Sequence, residues 1–230
     1  APSYLLGAFF FFFQGDCLMT NLELFADSEV STLYFEEQAY AKGFRFVAGI
    51  DEAGRGPLAG PVVAAAVILP QGFELPGLTD SKKLTEKQRD KFYPLIRRQA
   101  RAVGIGVASA AEIDRLNILQ ATLLAMQRAI GRLAETPDHL LIDGITPLPL
   151  SVSQQTLKKG DSRSLSVAAA SVVAKVIRDR IMYSIDKQQP GYGFAKHKGY
   201  GTAQHRKAIA ELKPSRHHRA SFAGVKEYLG

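Results

Sequence analysis

The chain has 230 residues, 46% of them hydrophobic, as expected for one large folded domain or one domain with a small appendage. It has 29 lysines and arginines against 22 acids, a net charge of +7 that favours polyanionic partners, although a lysine-rich surface alone is common. The single cysteine, Cys17, excludes an internal disulfide framework, argues against a structural zinc site and fits a reducing, cytoplasmic setting.

Residues 1–18 differ from the rest of the chain. Phe9 to Phe13 form a run of five phenylalanines, far short of the ~20 apolar residues that a membrane helix needs. No basic residue precedes this run, as one would in a secretory signal. Met19 begins a stretch typical of an ordinary chain start. We interpret residues 1–18 as an extension or artefact, with a membrane or partner anchor as the alternative, and expect one folded domain over residues 19–230.

The hydrophobic pattern predicts alternating strands and helices. Apolar runs bounded by turn residues predict strands over residues 45–51, 61–69, 103–109, 138–142 and 150–157. Apolar residues at helical spacing predict helices over residues 19–41 (one or two), 85–101, 110–133, 164–186 and 203–212. Thr85 with Gln88 three residues later has the spacing of a capping box. Three hairpin-like strands followed by alternating helices favour a mixed sheet with helices on its faces.

Acidic side chains stand where two predicted strands end. Asp51 and Glu52 close the first strand, and Asp143 closes the fourth. Neighbouring residues of a strand point to opposite faces, so Asp51 and Glu52 share one site only if the backbone bends, which Gly54 and Gly56 permit. Carboxylates at strand ends suit a hard cation such as magnesium or manganese. For the Asp-Glu pair alone, an ordinary surface turn is the favoured interpretation, because acidic pairs are common in loops.

Asp161 precedes the alanine-rich helix, where an aspartate is also a favoured helix cap. Asp179 lies on the same helix about 27 Å further along its axis, so it cannot share a metal site with Asp161. We expect Asp179 to pair instead with Lys175, Arg178 or Arg180.

Six blocks in order resemble the ribonuclease HII family, the type 2 ribonucleases H. They are GIDEAGRGPLAGPVVAAAVIL from Gly49, DSKKL from Asp80, LLIDG from Leu140, KGDSRSLSVAAASVVAKVIRDR from Lys159, HKGYGT from His197 and HHRASF from His217. The similarity extends over roughly residues 22–222 and is far more specific than a lone short motif. It implies a ribonuclease H-like α/β fold, a mixed sheet flanked by helices, with a small C-terminal helical portion over the substrate groove at about residues 190–230.

The resemblance also implies a reaction and a metal site. Members hydrolyse the RNA strand of RNA–DNA hybrids and incise duplex DNA on the 5′ side of an embedded ribonucleotide, leaving a 3′-hydroxyl and a 5′-phosphate. Their four acids map onto Asp51, Glu52, Asp143 and Asp161 without substitution, as catalytic residues and as ligands of two divalent cations, Mn²⁺ or Mg²⁺. Four unpaired acids in one pocket would repel each other, which is the physical reason to expect metal.

Substrate contacts follow from the same blocks. The resemblance places Gly54, Arg55 and Gly56 against the ribose 2′-hydroxyl, the group that distinguishes RNA from DNA, and Tyr200 on the neighbouring deoxyribose. It implies phosphate contacts for Ser81, Lys82, Lys83, Lys159, His197, Lys198 and Arg219. Without these blocks, a solvated charged face and a half-buried tyrosine are the ordinary interpretations.

Two alternatives stay open. The sister family ribonuclease HIII has an added N-terminal domain and usually a glutamate as its last acid, whereas this chain has Asp161 and about 48 residues before its first block. A catalytically idle hybrid-binding protein is disfavoured because all four acids are present. We expect a cytoplasmic monomer that binds RNA–DNA hybrids and ribonucleotide-containing duplex DNA and associates with no membrane.

Overall fold

A mixed five-stranded sheet forms the centre of the computed structural model, in the strand order β3-β2-β1-β4-β5. The strands are β1 (Val47–Ala53), β2 (Val62–Ile68), β3 (Ala102–Ala108), β4 (His139–Asp143) and β5 (Ser153–Leu157). The structure describes residues 33–229, which belong to one unit of internal contacts. The predicted extension, residues 1–18, lies outside the described residues, as does most of the predicted helical stretch 19–41. The predicted α/β fold with a mixed sheet is confirmed.

The strand directions bring two chain segments to one edge of the sheet. β1, β2 and β3 form an antiparallel meander, whereas β4 runs parallel to β1, and β5 runs parallel to β4. Ile50 of β1 pairs with Ile142 of β4. Because parallel strands have their carboxyl ends at the same edge, Asp51 and Asp143, which follow this pair, lie side by side.

Helices cover both faces of the sheet. The helices are α1 (Tyr34–Ala41), α2 (Glu86–Gln99), α3 (Ala110–Leu116), α4 (Ile118–Ile130), α5 (Leu165–Gln188), α6 (Phe194–His197) and α7 (Ala203–Leu212), and two 3₁₀ turns lie at Gly160–Ser162 and Lys226–Tyr228. α4 packs through Ala125 and Ala129 on the face that contains Ile50. α5 and α2 pack on the opposite face, against Ala65 and Val67. The sheet is therefore buried on both sides, which explains the continuous apolar runs in its strands.

The predicted helix over residues 110–133 is instead two helices. Asn117 has a φ of 71° and separates α3 from α4, and its side chain accepts a hydrogen bond from the Gln120 N–H at 3.1 Å. Asparagine adopts positive φ more easily than most residues and is a good helix cap. The apolar spacing continues across this break, so periodicity alone did not reveal it. The predicted capping box of Thr85 and Gln88 at the start of α2 is confirmed.

Helix α5 packs unusually close to β1. A side-chain carbon at Gly49 would overlap the backbone of Ser166 and Val167, so only glycine allows this approach. The first half of α5 is buried, from Leu165 to Ala174. This contact places the N-terminal half of α5 directly against the strand that carries Asp51.

The C-terminal residues, from about 190 to 229, contain the short helices α6 and α7. Their apolar side chains pack on Ala59 and on Met182 near the end of α5. Ile209 and Val225 pack on Leu58, in the loop that follows β1. The C-terminal segment therefore supports the loop between β1 and β2. Within residues 33–229, no helix combines the length and apolarity that crossing a bilayer requires.

Candidate active site

Three carboxylates meet at the carboxyl ends of β1 and β4. Asp51, Asp143 and Asp161 each offer one oxygen, and these oxygens all lie within 4.8 Å of one another. Asp51 is 4% exposed and Asp161 is 5% exposed. The structure thus brings together three of the four acids that the sequence predicts as metal ligands.

The turn after β5 delivers Asp161 to this group. Lys159 adopts a left-handed conformation with a φ of 55°, and the 3₁₀ turn Gly160–Ser162 follows. The Gly160 N–H donates to Asp143 Oδ1 at 2.7 Å, which fixes the turn against the end of β4. Ser164, not Asp161, caps α5, by accepting a hydrogen bond from the Val167 N–H at 3.2 Å. The carboxylate of Asp161 is therefore free to face the sheet.

Glu52 lies beside the three-acid group and not within it. β1 continues through Ala53, and the backbone bends at Gly54, where φ is 99°. The bend that would direct Asp51 and Glu52 to one point is thus absent, and strand alternation turns Glu52 away from Asp51. Glu52 nevertheless lines the same cavity of about 280 Å³ as Asp51 and Asp143. Its Oε1 lies 3.4 Å from Arg55 Nη1.

The acid cluster carries strong electrostatic repulsion. Burial raises the pKa of Asp51 well above its usual value, and the charges of Glu52 and Asp143 raise it further. Burial, Asp143 and Asp80 raise the pKa of Asp161 to about 6. Lys82 Nζ lies 3.6 Å from Asp161 Oδ2, but this lysine side chain is 77% exposed and screens the cluster weakly. A buried group of carboxylates with so little compensation fits a bound divalent cation.

Residues of α5 and α2 support the acid cluster through a set of hydrogen bonds. The buried Ser171 of α5 donates to Ser81 Oγ at 2.8 Å and lies close enough to Asp51 to counteract part of the rise in its pKa. Ser81 is itself only 4% exposed. Arg89 Nη1 donates to the Ser81 carbonyl at 2.9 Å and holds the segment that carries Lys82. This arrangement ties the acid edge of the sheet to α5 and α2.

Asp179 pairs with Lys175, one of the three partners that the sequence predicted. Its Oδ1 accepts a hydrogen bond from Lys175 Nζ at 2.7 Å, and its Oδ2 lies 3.9 Å from Arg89 Nη2. Arg180 instead lies near Asp90, at 3.8 Å.

The glycine loop and Tyr200 line the same cavity as the acids. Gly54, Arg55, Gly56 and Tyr200 all line it, together with Lys82 and Lys175. Tyr200 is 47% exposed, and its ring lies 3.8 Å from where a side-chain carbon of Gly56 would be. The structure therefore places the loop and the tyrosine together, next to the acids.

Four residues predicted as phosphate contacts are buried, namely Ser81, His197, Lys198 and Arg219. Lys83 and Lys159 are exposed. His197, however, contacts the Tyr192 carbonyl through Nε2 at 2.8 Å, and the ammonium of Lys198 lies 4.0 Å from the centre of the Tyr183 ring. Arg219 is fully buried and donates only to backbone carbonyls. Arg219, His197 and Lys198 are therefore buried and do not line the cavity that holds the acids, and a phosphate contact by any of them stays a prediction.

Arg178 is a residue of this site that the sequence prediction assigned elsewhere. Instead of pairing with Asp179, it lines the cavity and donates to the carbonyls of Pro61 at 3.1 Å and Lys198 at 3.0 Å. Ser171, Lys175 and Arg178 occupy positions i, i+4 and i+7 of α5, and therefore share one helix face. A polar stripe on an otherwise apolar helix was the signal that could have identified them.

Two buried histidines support the backbone of Tyr200. His205 Nδ1 lies 2.9 Å from the Tyr200 carbonyl, and its Nε2 lies 3.1 Å from Nε2 of His218. The Ser215 N–H donates to His218 Nδ1 at 2.9 Å. Burial lowers the pKa of both imidazoles to about 4, so both are neutral at pH 7. Among the described residues that line the cavity there is no histidine.

Comparison with known proteins identifies the family. The family model for ribonuclease HII matches residues 48–225. The ribonuclease HII of Syntrophotalea carbinolica is 65% identical over 208 residues, which cover 90% of this chain and 100% of the relative. The residues that the family model matches include every sequence block described above, and the match favours ribonuclease HII over the sister family.

Solved structures show the same fold. The ribonuclease H2 of Pyrococcus horikoshii OT3 superposes with a TM-score of 0.71 at 23% identity, over 80% of this chain and 97% of that one. The ribonuclease HII of Archaeoglobus fulgidus, solved as a complex with PCNA, gives a TM-score of 0.66 at 26% identity, over 78% of this chain and 96% of that one. With a family model that spans residues 48–225 and relatives that match along their whole length, this chain belongs to the ribonuclease HII family.

Proposed function

We propose that this endoribonuclease, which cuts the RNA strand of RNA–DNA hybrids, also incises duplex DNA on the 5′ side of a single embedded ribonucleotide. The products are a 3′-hydroxyl and a 5′-phosphate. The observation that carries the proposal is one cavity lined by Asp51 and Asp143 together with the loop Gly54–Gly56 and Tyr200. The residues proposed to act on the phosphodiester and those proposed to contact the sugar thus line the same cavity.

The acids are proposed to bind divalent cations. Asp51, Asp143 and Asp161 would hold the metal through oxygens that already converge within 4.8 Å, and Glu52 would add a ligand from the adjacent wall of the cavity. Bound Mg²⁺ or Mn²⁺, two ions in this proposal, supplies Lewis acidity that activates water and stabilises the leaving 3′ oxygen. The raised pKa values of Asp51 and Asp161 support the fit, because a cation relieves the repulsion that raises them.

The opposite wall of the cavity is proposed to read the sugar. Gly54 and Gly56 have no side chains, so the backbone can approach a ribose 2′-hydroxyl, a group that DNA lacks. Tyr200, with nearly half of its surface exposed, would press on the next deoxyribose and place the phosphate over the acids. Exposed Lys82, Lys83 and Lys159 would contact phosphates.

One assay tests the proposal directly. A duplex with one labelled ribonucleotide is incubated with the protein and Mg²⁺, Mn²⁺ or a chelator, and the cut is mapped at nucleotide resolution. We expect a single cut on the 5′ side of the ribonucleotide with either metal, and none with the chelator or in an all-DNA duplex. Cleavage in the presence of chelator, or a cut elsewhere, contradicts the proposal.

Further features are proposed at the level of the whole chain. We propose a monomeric enzyme of the cytoplasm, with a catalytic domain over residues 19–230 and a helical cap from about residue 190. Size-exclusion chromatography with light scattering at assay concentrations tests the monomer, and a dimer mass would contradict it.

A further inference from the structure

We propose that two buried arginines, Arg178 and Arg219, lock the loop Gly54–Gly60 and Tyr200 into one unit and thereby position the ribonucleotide for cleavage. This inference rests on the proposed function, because it concerns the residues that read the sugar. Neither arginine is proposed to touch the substrate. Both are positioning residues that act through backbone groups of the loop and of residues 198–200.

Arg219 holds the two ends of the loop together. Its side chain is 0% exposed. Nη2 donates to the carbonyl of Gly54 at 2.5 Å and to that of Gly60 at 2.9 Å, and Nη1 donates to the carbonyl of Arg55 at 2.8 Å. Nε adds a bond to Gly60 at 3.0 Å, and the Arg219 N–H donates to the Leu58 carbonyl at 2.9 Å. One guanidinium therefore fixes the path of a loop with no secondary structure of its own.

Arg178 joins this loop to the segment that carries Tyr200. Its Nη2 donates to the carbonyl of Ala59 at 3.3 Å and to that of Lys198 at 3.0 Å, and its Nε donates to the carbonyl of Pro61 at 3.1 Å. The guanidinium carbon lies 6.0 Å from the centre of the Tyr200 ring. A side-chain carbon at Gly54 would overlap this guanidinium, so the loop packs directly on it. Movement of either segment would break bonds to the same side chain.

The charges of these arginines have no local partner. Among the described residues, no carboxylate lies within 4.0 Å of either guanidinium. Burial lowers the pKa of Arg219 to about 9, and the nearby charge of Arg178 contributes to this effect. An unpaired buried cation is unfavourable for folding. Arg178, however, lines the cavity that is proposed to bind a polyanion, where substrate phosphates would offset this cost.

Conservative substitution distinguishes positioning from charge. Arg219→Lys and Arg178→Lys keep a positive charge but cannot reproduce the planar fork of donors that spans several carbonyls. We expect kcat on a single-ribonucleotide duplex to fall by at least about tenfold in each variant, while KM changes by less than about threefold, because misplacement of the substrate mainly affects chemistry. Arg101→Lys, at an exposed arginine that bonds to Glu135, is the matched control and should retain parental kcat.

A double substitution tests whether the effect passes through Tyr200. If Arg178 acts by positioning Tyr200, Arg178→Lys should reduce kcat much less in a Tyr200→Ala background than in the parental protein. Two outcomes would overturn the proposal. In one, Arg178→Lys reduces kcat by the same factor with and without Tyr200→Ala; in the other, both lysine variants keep parental kcat. Loss of the folded state in both variants, measured by melting temperature, would assign the arginines to stability alone and overturn it as well. Failure of the proposed function is distinguishable, because the parental protein itself would then leave the single-ribonucleotide duplex uncut.

Discussion

The two walls of the cavity are built in opposite ways. The acidic wall stands on the ends of two paired strands, β1 and β4, whose positions the sheet fixes. The proposed sugar-reading wall, Gly54–Gly56 with Tyr200, consists of loops distant in sequence, held by guanidinium groups bonded to carbonyls. Buried carboxylates form the first wall, and buried guanidinium groups support the second. The comparison indicates that the proposed metal ligands stand on paired strands, whereas the residues proposed to read the sugar stand on loops that side chains hold in place.

The largest expected effect tests the acidic wall. Asp143→Asn removes the central charge of the cluster but keeps the shape and the acceptor for the Gly160 N–H. We expect cleavage to fall by about a thousandfold, or about 4 kcal/mol of transition-state stabilisation, with an unchanged melting temperature. The control is Glu135→Gln, at a surface acid paired with Arg101, which should cleave at the parental rate. Near-parental activity of Asp143→Asn would remove this residue from the metal site.

The next effect tests the sugar-reading wall. Tyr200→Ala should slow cleavage of a single-ribonucleotide duplex by about a hundredfold, or about 2.7 kcal/mol, because the ring would place the phosphate over the acids. Binding measured without metal should change little, since phosphate contacts dominate affinity. Long hybrids should be affected less, because they lack the junction deoxyribose. Tyr34→Ala, at a tyrosine of α1 that is 46% exposed, is the control. Equal rates for Tyr200→Ala and the parental enzyme would reduce Tyr200 to an ordinary surface aromatic.

Metal should stabilise the acidic wall before any substrate is present. The pKa of Asp161 in the folded protein is raised from 3.8 to about 6, so the metal-free protein loses stability as the pH rises through this range, and the loss is complete above pH 6. Mg²⁺ or Mn²⁺ binds only the folded cluster and should therefore raise the melting temperature by a few degrees at pH 8. Calorimetry with and without chelator measures this increase. In Asp143→Asn the increase should shrink, and an equal increase in both proteins would place the bound metal elsewhere.

Acid should weaken the sugar-reading wall in a defined pH window. His205 and His218 have folded pKa values of about 4, below the usual 6.5, so unfolding takes up protons between these values. Their contribution to stability is complete above pH 6.5 and is lost as the pH falls through 4. We expect the melting temperature to decline across this window and His218→Gln to decline less steeply. His217→Gln, at a less buried imidazole, is the control and should change the slope of melting temperature against pH less than His218→Gln does. Identical slopes in the parental protein and both variants would contradict the assignment of this pH dependence to the buried histidines.

Sequence patterns predicted the acidic wall better than the sugar-reading wall. Apolar runs that end in Asp51 and Asp143 locate strand ends, and parallel pairing brings such ends together. The position of Glu52 was harder to predict from the sequence, because the strand continues to Ala53 and bends only at Gly54. A bend depends on tertiary contacts that no local pattern records.

The role of Arg219 illustrates what the sequence could not show. From the sequence alone, an arginine that faces solvent cannot be distinguished from one that donates to backbone carbonyls. The buried guanidinium of Arg219 donates to the carbonyl of Gly60, in a loop 159 residues earlier in the chain. Likewise, the break at Asn117 interrupts a helix whose apolar spacing continues on both sides. In each case the deciding contact is long-range or confined to one residue.

The polar stripe on α5 has a consequence for the proposed position of the cut. Ser171 lies near Asp51, a proposed metal ligand, and Arg178, seven residues later, holds the loop that would read the sugar. These two positions are separated by about 10.5 Å along the helix axis, a spacing set by the rise of an α-helix. Under the proposed function, the helix would keep a fixed distance between the ribose that is recognised and the phosphate that is cleaved. Cleavage at a constant distance from the ribonucleotide would then follow from backbone geometry, which a change of side chain does not lengthen.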